Sequence, residues 1–371
     1  MKIFNKNEWK KVKLGDVCEV ITGNTPLKKI KEYWDKDEVP FITPPELKYE
    51  GINYITPNIY VSKIGAKQGR IIPKNSICVC CIGSLGKLGI LKEDAITNQQ
   101  INSLILKDKN VDLLYLYFYL KTIKNNLESI ASSTTVKIIN KSSFEKIDIN
   151  LPSLEIQKKI SKKLELLENN INFRKSQLNS LNELSKSLFT KFNKNGVEKQ
   201  LNDVADIIMG QSPLSQSYNK DKKGLPFYQG KTEFSDIYIK EATVYCNSPI
   251  KVVEENDILM SVRAPVGDVN IATQKSCIGR GLASIKPKKI DYLYLFYLLK
   301  EQKSKIEKIG VGSTFKAINK NNISTLKISI VEKDKQNKIR NYLSSIEKLK
   351  FIFGRPLIST TFKNSYKRVS A

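Results

Sequence analysis

The longest regular pattern of apolar positions lies in the middle of the chain, between residues 155 and 192. The apolar side chains recur every three, four or seven residues, at Ile156, Ile160, Leu164, Leu167, Ile171, Leu178, Leu181 and Leu188. No Pro or Gly interrupts the pattern before Gly196, which we expect to close the helix. The spacing predicts one long amphipathic helix with coiled-coil character, about 57 Å long at about 1.5 Å per residue.

Three segments before this helix return after it, in the same order and at nearly constant spacing. They are LGDVCEVITGNTP and LNDVADIIMGQSP from residues 14 and 201, DLLYLYFYLK and DYLYLFYLLK from residues 112 and 291, and ASSTTVKIIN and GVGSTFKAIN from residues 131 and 310. A repeat of this length predicts a duplicated domain and not the short unit of a solenoid.

Each copy predicts several strands and one helix. In the first copy, VCEVITG predicts a short strand that ends in a turn, and RIIPKNSICVCCIGSLGKLGIL predicts two strands joined by a turn. Residues 112–124 carry apolar side chains at helical spacing, and FEKIDINLP predicts a strand that stops at Pro152. We therefore predict an α+β fold of two tandem, repeated mixed α/β domains, each followed by a long helix.

The helical pattern after the second copy is shorter than the central one. EKDKQNKIRNYLSSIEKLKFIF opens in the same way, because Gln336 and Ile339 occupy the positions of Gln157 and Ile160. The predicted division of the chain is domain 1 at residues 10–153, a long helix at 154–194, domain 2 at 197–331, a shortened second helix at 332–353 and an irregular tail at 354–371.

The charge of the chain favours an anionic partner. The 371 residues include 62 Lys and Arg against 37 Asp and Glu, a formal net charge of +25. Phosphate neutralisation supplies most sequence-independent affinity for DNA, so double-stranded DNA is the first candidate. The alternative is a lysine-rich composition inherited from an AT-rich genome. No stretch of about 18 apolar residues predicts a membrane span, and no apolar segment of a signal peptide is visible, so we expect a cytoplasmic protein.

Cysteine and histidine usage excludes several kinds of chemistry. The chain has six cysteines, no C-x-x-C pair and no histidine, so we expect buried, reduced cysteines and no metal site. Without histidine, a Ser-His-Asp or Cys-His mechanism is excluded. Residues 43–46, TPPE, lack the amide and the aromatic ring of the amino-methyltransferase motif, so we also exclude methyl transfer by this chain. We predict no catalytic residue.

Two pairs of polar segments and one single turn are candidate contacts with DNA. The turns GNTP at residues 23–26 and GQSP at 210–213 either are simple turns, with Gly supplying positive φ, or present Thr25 and Ser212 to DNA. GSLGK at residues 83–87 lacks P-loop spacing, but its tip offers Ser84 and Lys87. The second pair, TTVK and STFK, keeps hydroxyls and a lysine that suit a phosphate oxygen, namely Thr135, Lys137, Thr314 and Lys316. The alternative for this pair is a structural role, in which the polar residues cap a helix and the lysine is solvated.

The repeated motifs resemble those of the specificity subunits of Type I restriction–modification systems. The resemblance rests on LGDVCEVITGNTP, on IGSLGKLGIL, on SSTTVKIINKSSFEKIDINLPSLEIQKKI and on their partners in the second copy, and it covers about residues 10–353. It implies a non-catalytic DNA reader in which each target recognition domain binds one half of a bipartite site. It also implies that the two helices pair as an antiparallel coiled coil with pseudo-two-fold symmetry and act as a ruler between the half-sites.

The resemblance implies protein partners as well. Two methyltransferase subunits would dock on the helices and bring S-adenosylmethionine. Restriction subunits, which use ATP and Mg²⁺, are further candidate partners. No cofactor is expected on this chain itself.

If the chain reads two half-sites, its base contacts should lie where the copies differ most. The candidates for bidentate contacts to adenine or guanine are Gln99, Gln100, Gln229, Arg263 and Arg280. Lys231 and Lys316 are candidates for phosphate contacts. The alternative for each is an ordinary polar surface residue. Two other functions stay open, namely a specificity subunit of a related methyltransferase-only or phage-defence system and a non-specific architectural nucleic-acid binder.

Overall fold

The computed structural model describes residues 9–131, 136–310 and 317–354. It divides into two compact units, which meet in the chain between Ser176 and Gln177. The predicted contacts Thr135, Thr314 and Lys316, and the tail beyond Gly354, lie outside the described residues.

Unit 1 is a mixed α/β unit that follows the predicted order of elements. Its elements are β1 (Lys10–Lys13), α1 (Leu14–Val17), β2 (Cys18–Thr22), β3 (Val39–Ile42), β4 (Tyr60–Val61), α2 (Lys63–Ala66), β5 (Ile77–Cys80), β6 (Leu88–Ile90), β7 (Ile96–Thr97), β8 (Ile101–Leu106), α3 (Leu113–Thr122), α4 (Lys124–Ile130), α5 (Lys141–Glu145), β9 (Asp148–Leu151) and the first part of α6 (Leu154–Phe192). An antiparallel sheet has the order β2-β8-β5-β6, and a smaller sheet has the order β4-β3-β7 with β3 and β7 parallel.

Unit 2 repeats this plan. After the end of α6 come β10 (Val197–Gln200), β11 (Ala205–Met209), β12 (Tyr218–Asn219), β13 (Leu225–Tyr228), β14 (Tyr245–Cys246), β15 (Val252–Val253), β16 (Ile258–Ser261), β17 (Val269–Ile271), β18 (Ser276–Ile278), β19 (Leu282–Pro287), α7 (Tyr292–Glu301), α8 (Lys303–Ile309), α9 (Lys320–Ser324), β20 (Lys327–Ile330) and α10 (Lys333–Gly354). The sheet orders are β11-β19-β16-β17 and β12-β14-β13-β18-β15, with β13 and β18 parallel. The predicted duplication is therefore confirmed in three dimensions.

One apolar helix in each unit packs against the four-stranded sheet. Asp112 caps α3 by accepting from the Tyr115 amide at 2.8 Å, and Asp291 caps α7 by accepting from the Tyr294 amide at 3.0 Å. Helix α7 is buried from Leu293 through Leu299, which is typical of a helix that is surrounded by core on all sides. These helices give each unit its main hydrophobic core.

The first turns of α6 and α10 are attached to their own units by a matched glutamine. The side chain of Gln157 accepts from the Asp112 amide at 2.9 Å and donates to the carbonyls of Asn110 at 3.0 Å and Pro152 at 2.8 Å. The side chain of Gln336 donates to the Val331 carbonyl at 2.7 Å. The two glutamines that the sequence paired thus occupy equivalent buried positions.

The end of α6 packs against α10 within unit 2. Phe192 stacks on Tyr342 with ring centroids 5.7 Å apart, whereas Ser185 and Phe189 line a cavity with Lys350. Because an earlier residue of α6 lies beside a later residue of α10, the two helices run in opposite directions here. The predicted antiparallel pairing is confirmed for these residues.

Gly196 does not close the central helix, so that expectation is wrong. Helix α6 ends at Phe192, and the positive φ that follows it, 61°, belongs to Asn195. A Cβ at Gly196 would come within 2.6 Å of the Ser329 hydroxyl and 2.7 Å of the Ile330 carbonyl carbon. Glycine is therefore required there by the close approach of β20.

All six cysteines are free and buried, as predicted. Burial is the main cause that raises the pKa of the Cys18, Cys78 and Cys81 thiols to about 12. Cys80 on β5 and Cys277 on β18 also have a pKa raised by burial. These side chains serve as small apolar core residues.

Candidate nucleic-acid interface

In unit 1 the turn after β2 contacts the loop between β7 and β8. The Gly23 amide donates to the Ile101 carbonyl at 3.1 Å, and the Thr25 hydroxyl donates to Oε1 of Gln99 at 2.7 Å. Gln99 stays exposed. The structure thus brings together two of the predicted contact residues, Thr25 and Gln99, which are far apart in the sequence.

The glycines of the two GNTP-type turns are required by a close backbone approach. A Cβ at Gly23 would overlap with the carbonyl oxygens of Thr97 and Asn98, and one at Gly210 would overlap with that of Gly279. Neither Gly23 nor Gly210 has a positive φ. The turn interpretation based on positive φ is therefore wrong for these two residues.

Gln100 and Arg70 lie beside the same turn. The Gln100 carboxamide accepts from the Asn98 side chain at 3.0 Å, and the Gln100 amide donates to Oδ1 of Asn98 at 3.1 Å. The exposed Arg70 guanidinium donates to the Thr22 carbonyl. Arg70 could not be selected from the sequence, because only the fold brings its loop to this turn.

The hairpin formed by β5 and β6 places Ser84 and Lys87 beside an aromatic ring. The ammonium nitrogen of Lys87 lies 5.7 Å from the centre of the Tyr49 ring, and that of Lys124 lies 4.0 Å from it. Burial raises the pKa of Tyr49, and a hydrogen bond with Ser84 opposes this. The half-exposed Tyr49 was also missed, since it follows an irregular segment without any periodic pattern.

Lys137 is held at the same hairpin. The Gly83 amide donates to the Lys137 carbonyl at 3.0 Å, so the segment before α5 is tied to the hairpin tip. The exposed Lys137 ammonium lies 3.7 Å from a carboxylate oxygen of Glu128. The predicted residues Ser84, Lys87 and Lys137 therefore share one cationic edge of unit 1.

Unit 2 builds the same turn contact with different side chains. The Gly210 amide donates to the Leu282 carbonyl at 2.9 Å, which matches the bond from Gly23 in unit 1. The Arg280 amide donates to the Ser212 hydroxyl at 3.3 Å. Ser212 and Arg280, both predicted contact residues, are therefore neighbours, and the Arg280 guanidinium is exposed.

Four of the predicted residues line one cavity of about 260 Å³ in unit 2. The lining residues are Gln229, Gly230, Lys231, Ser261, Arg263, Ala264, Arg280 and Gly281. Gln229, Arg263 and Arg280 are exposed, so their amide and guanidinium groups are available to a ligand at the mouth. Such groups form planar pairs of hydrogen bonds with base edges or phosphates.

Asp268 forms ion pairs with two lysines at the edge of this cavity. Its carboxylate lies 2.5 Å from the Lys231 ammonium and 2.6 Å from that of Lys303. Burial raises the pKa of Asp268, but the hydrogen bonds from these lysines outweigh it and the net pKa lies below its usual value. The charge of Lys231 is therefore shared with an acidic neighbour.

Two polar motifs singled out in the sequence have structural roles. Asn140 and Asn319, which follow the hydroxyl–lysine segments, are N-caps that accept from the amides of Ser143 at 2.8 Å and Asn322 at 2.9 Å. Residues 43–46, TPPE, form a capped 3-10 turn.

The two units, which share the same turn contact, match one known protein family. The family model of the Type I restriction modification DNA specificity domain matches residues 6–183 and again residues 193–354. The chain belongs to this family. It is a type I specificity subunit with two specificity domains, a non-catalytic component of such systems, and the two matches correspond to the two repeats of the sequence.

The relatives are consistent with this membership. A putative type I restriction enzyme specificity subunit, MjaX, of Methanocaldococcus jannaschii is 36% identical over 379 residues, which cover 92% of this chain and 87% of that protein. The HindI specificity subunit of Haemophilus influenzae is 36% identical over 159 residues, 41% of this chain and 34% of its own length.

A solved structure shows the same fold. The S subunit of a Type I restriction–modification system from M. genitalium has a TM-score of 0.68 with 16% identity, and the match covers 99% of this chain and 97% of that one. Among residues 9–131, 136–310 and 317–354 of our specificity subunit, we find no helix that is both long and apolar enough to cross a bilayer.

Proposed function

We propose that this chain is the DNA-recognition subunit of its system and reads a bipartite double-stranded target, one half with each specificity domain. The observation that carries the proposal is the repeated turn contact. In both units the turn after the first strand of the four-stranded sheet, β2 or β11, contacts the loop before β8 or β19, and exposed polar side chains lie there. Exposed carboxamides and guanidiniums are the groups that read base edges.

The proposed DNA contacts fall into two chemical groups. Gln99, Gln229, Arg263 and Arg280 would contact bases, whereas Lys87 and Lys137 would contact phosphates. A chain of net charge +25 should bind DNA with a strong dependence on salt. An architectural binder would show the same salt dependence without preferring any sequence.

The decisive experiment is sequencing of modified bases in cells with and without the gene. We expect one bipartite methylated motif to disappear when the gene is deleted. If every methylated motif persists, the chain does not direct methylation. Competition binding at two salt concentrations tests the architectural alternative, because a specific protein keeps a large affinity ratio between target and random DNA.

We further propose that methyltransferase subunits dock on the long helices and bring S-adenosylmethionine, and that restriction subunits join them with ATP and Mg²⁺. The exposed apolar side chains of α6 support a protein partner, since Leu166, Phe173 and Leu184 are 54%, 63% and 45% exposed. Phe173→Asp should reduce co-purification with the methyltransferase, whereas Lys162→Asp on the exposed polar side of α6 should reduce it less.

A further inference from the structure

Hydrogen bonds to the backbone define equivalent positions in the two units. The Asn98 amide donates to the Ile42 carbonyl at the end of β3, and the Gly279 amide donates to the Tyr228 carbonyl at the end of β13. Three residues further along, the loops close in the same way, because the Ile101 amide donates to the Asn98 carbonyl and the Leu282 amide donates to the Gly279 carbonyl, both at 3.1 Å. The residue that follows Asn98 or Gly279 therefore occupies one and the same place in the fold.

This equivalent position carries different chemistry in the two units. It is Gln99 in unit 1 and Arg280 in unit 2, and both side chains are exposed. Both residues contact the equivalent turn: the Gln99 carboxamide accepts from the Thr25 hydroxyl, and the Arg280 backbone amide donates to the Ser212 hydroxyl. The scaffold around the position is thus kept while its recognising group changes from a carboxamide to a guanidinium.

The contact with Thr25 orients the Gln99 carboxamide. The Thr25 hydroxyl uses one lone pair of Oε1, which leaves the second lone pair and both Nε2 hydrogens for a ligand. A carboxamide with one acceptor and one donor in a plane matches N6 and N7 of adenine. A guanidinium offers two parallel donors, which match O6 and N7 of guanine.

A second position strengthens the contrast. Ile82 forms an isolated bridge with Ile138 in unit 1, and Arg263 forms the matching bridge with Ala317 in unit 2. Unit 2 therefore presents a guanidinium where unit 1 presents an apolar side chain. Arg263 and Arg280 line the same cavity.

We propose that the equivalent position occupied by Gln99 and Arg280 reads one base pair in each half-site, an inference that rests on the proposed function. Gln99 selects adenine in the half-site of unit 1, and Arg280 selects guanine in the half-site of unit 2. The half-site of unit 1 then contains an A·T pair at this position, and that of unit 2 contains a G·C pair. Arg263 adds a second guanine contact to the half-site of unit 2.

A reciprocal exchange tests the proposal. The full chain and its methyltransferase are expressed in cells that lack other modification systems, and methylated motifs are sequenced for the unsubstituted chain, Gln99→Arg and Arg280→Gln. We expect Gln99→Arg to change one position of one half-site from adenine towards guanine, and Arg280→Gln to make the reverse change in the other half-site. The change in preference should be about 5- to 150-fold.

The unaltered half-site is an internal control for folding, since its motif should stay the same in each variant. Arg280→Lys keeps the charge but loses the planar pair of donors, so it should relax the same position without a uniform loss. Unchanged motifs in both exchanges would overturn the proposal, as would a uniform loss over all sequences, which marks a phosphate contact. If the unsubstituted chain directs no motif, the proposed function itself fails.

Discussion

Asp268 shows how one residue can restrain two cations beside a candidate DNA-contacting cavity. Asp268→Asn should lower the free energy of unfolding by about 1 kcal/mol near neutral pH, because the exposed lysines limit the strength of these ion pairs. The folded pKa of Asp268 is depressed. Its stabilisation is therefore present above the unfolded pKa of about 3.9 and is lost as the pH falls through the folded pKa. Urea unfolding between pH 3 and 7 would measure this.

The exposed pair of Lys222 and Glu241 is the matched control for Asp268. Both side chains are mostly solvated, so Glu241→Gln should leave the unfolding midpoint unchanged. A difference between wild type and Asp268→Asn that stays constant down to the most acidic pH would contradict the ion-pair explanation.

Gly210 and Gly230 provide a second test at the residue scale. Gly210→Ala should destabilise unit 2 by about 1–3 kcal/mol, because the new methyl group overlaps with the Gly279 carbonyl. Gly230→Ala should have little effect, since a Cβ there meets nothing within 4 Å. Thermal unfolding followed by circular dichroism compares the two, and equal shifts would argue against the close-approach role of Gly210.

Residue types and their local spacing selected the candidate contact residues but could not predict their surroundings. Gln229, Arg263 and Arg280 could be selected as polar residues in divergent segments. That they share a cavity depends on strand pairings across the unit, which no local pattern encodes. Arg70 and Tyr49 were missed for the same reason. The helix cap that stood as the alternative for the hydroxyl–lysine segments is formed by the asparagines that follow them, Asn140 and Asn319.

At the scale of elements, the matched glutamines should differ in their contribution to stability. Gln157→Ala breaks three hydrogen bonds, one buried and two partly buried, and should cost about 2–4 kcal/mol, whereas Gln336→Ala breaks one and should cost about 1 kcal/mol. Among the described residues, Oε1 of Gln336 has no partner, so its removal costs nothing further.

Tryptophan fluorescence can separate the effect of Gln157→Ala from that of Gln336→Ala. Trp9 and Trp34 both lie in unit 1, so their fluorescence reports on the unit that Gln157 anchors. Gln157→Ala should shift the fluorescence transition in urea, and Gln336→Ala should shift a transition seen mainly by circular dichroism. The prediction is wrong if Gln336→Ala shifts the fluorescence transition as strongly as Gln157→Ala does.

Elements with a long local period were predictable, and short ones were not. Helix α6 follows directly from its apolar spacing, because a helix satisfies its backbone within one segment. Strands such as β4, β7, β12 and β14 have two residues each. A strand of two residues is too short to show the alternation of apolar and polar side chains that predicts a strand. It forms only because it pairs with a strand that is distant in the sequence.

At the scale of the whole molecule, α6 is one continuous helix whose residues belong to both units. Inserting four residues after Ser176 would lengthen it by about 6 Å and nearly preserve the phase of its two packing faces. If the helix sets the spacing of the target, the spacer between methylated half-sites should grow by about two base pairs at 3.4 Å each.

Motif sequencing measures that spacer directly. An insertion of the same length in the exposed loop at residues 220–223 is the control. The motif methylated with this control variant should keep its spacer length. A spacer that stays the same after the insertion in α6 would mean that the helix is not a ruler.

The burial of every cysteine has a practical consequence. Thiols react as thiolates, and the raised pKa values of Cys18, Cys78 and Cys81 keep these groups protonated at neutral pH. The six native cysteines therefore offer no accessible thiol to alkylating reagents. A single cysteine placed at Gln99 or Arg280 could be labelled with a photo-crosslinker while all six native thiols remain in place, and the nucleotide it captures would identify the nearest base.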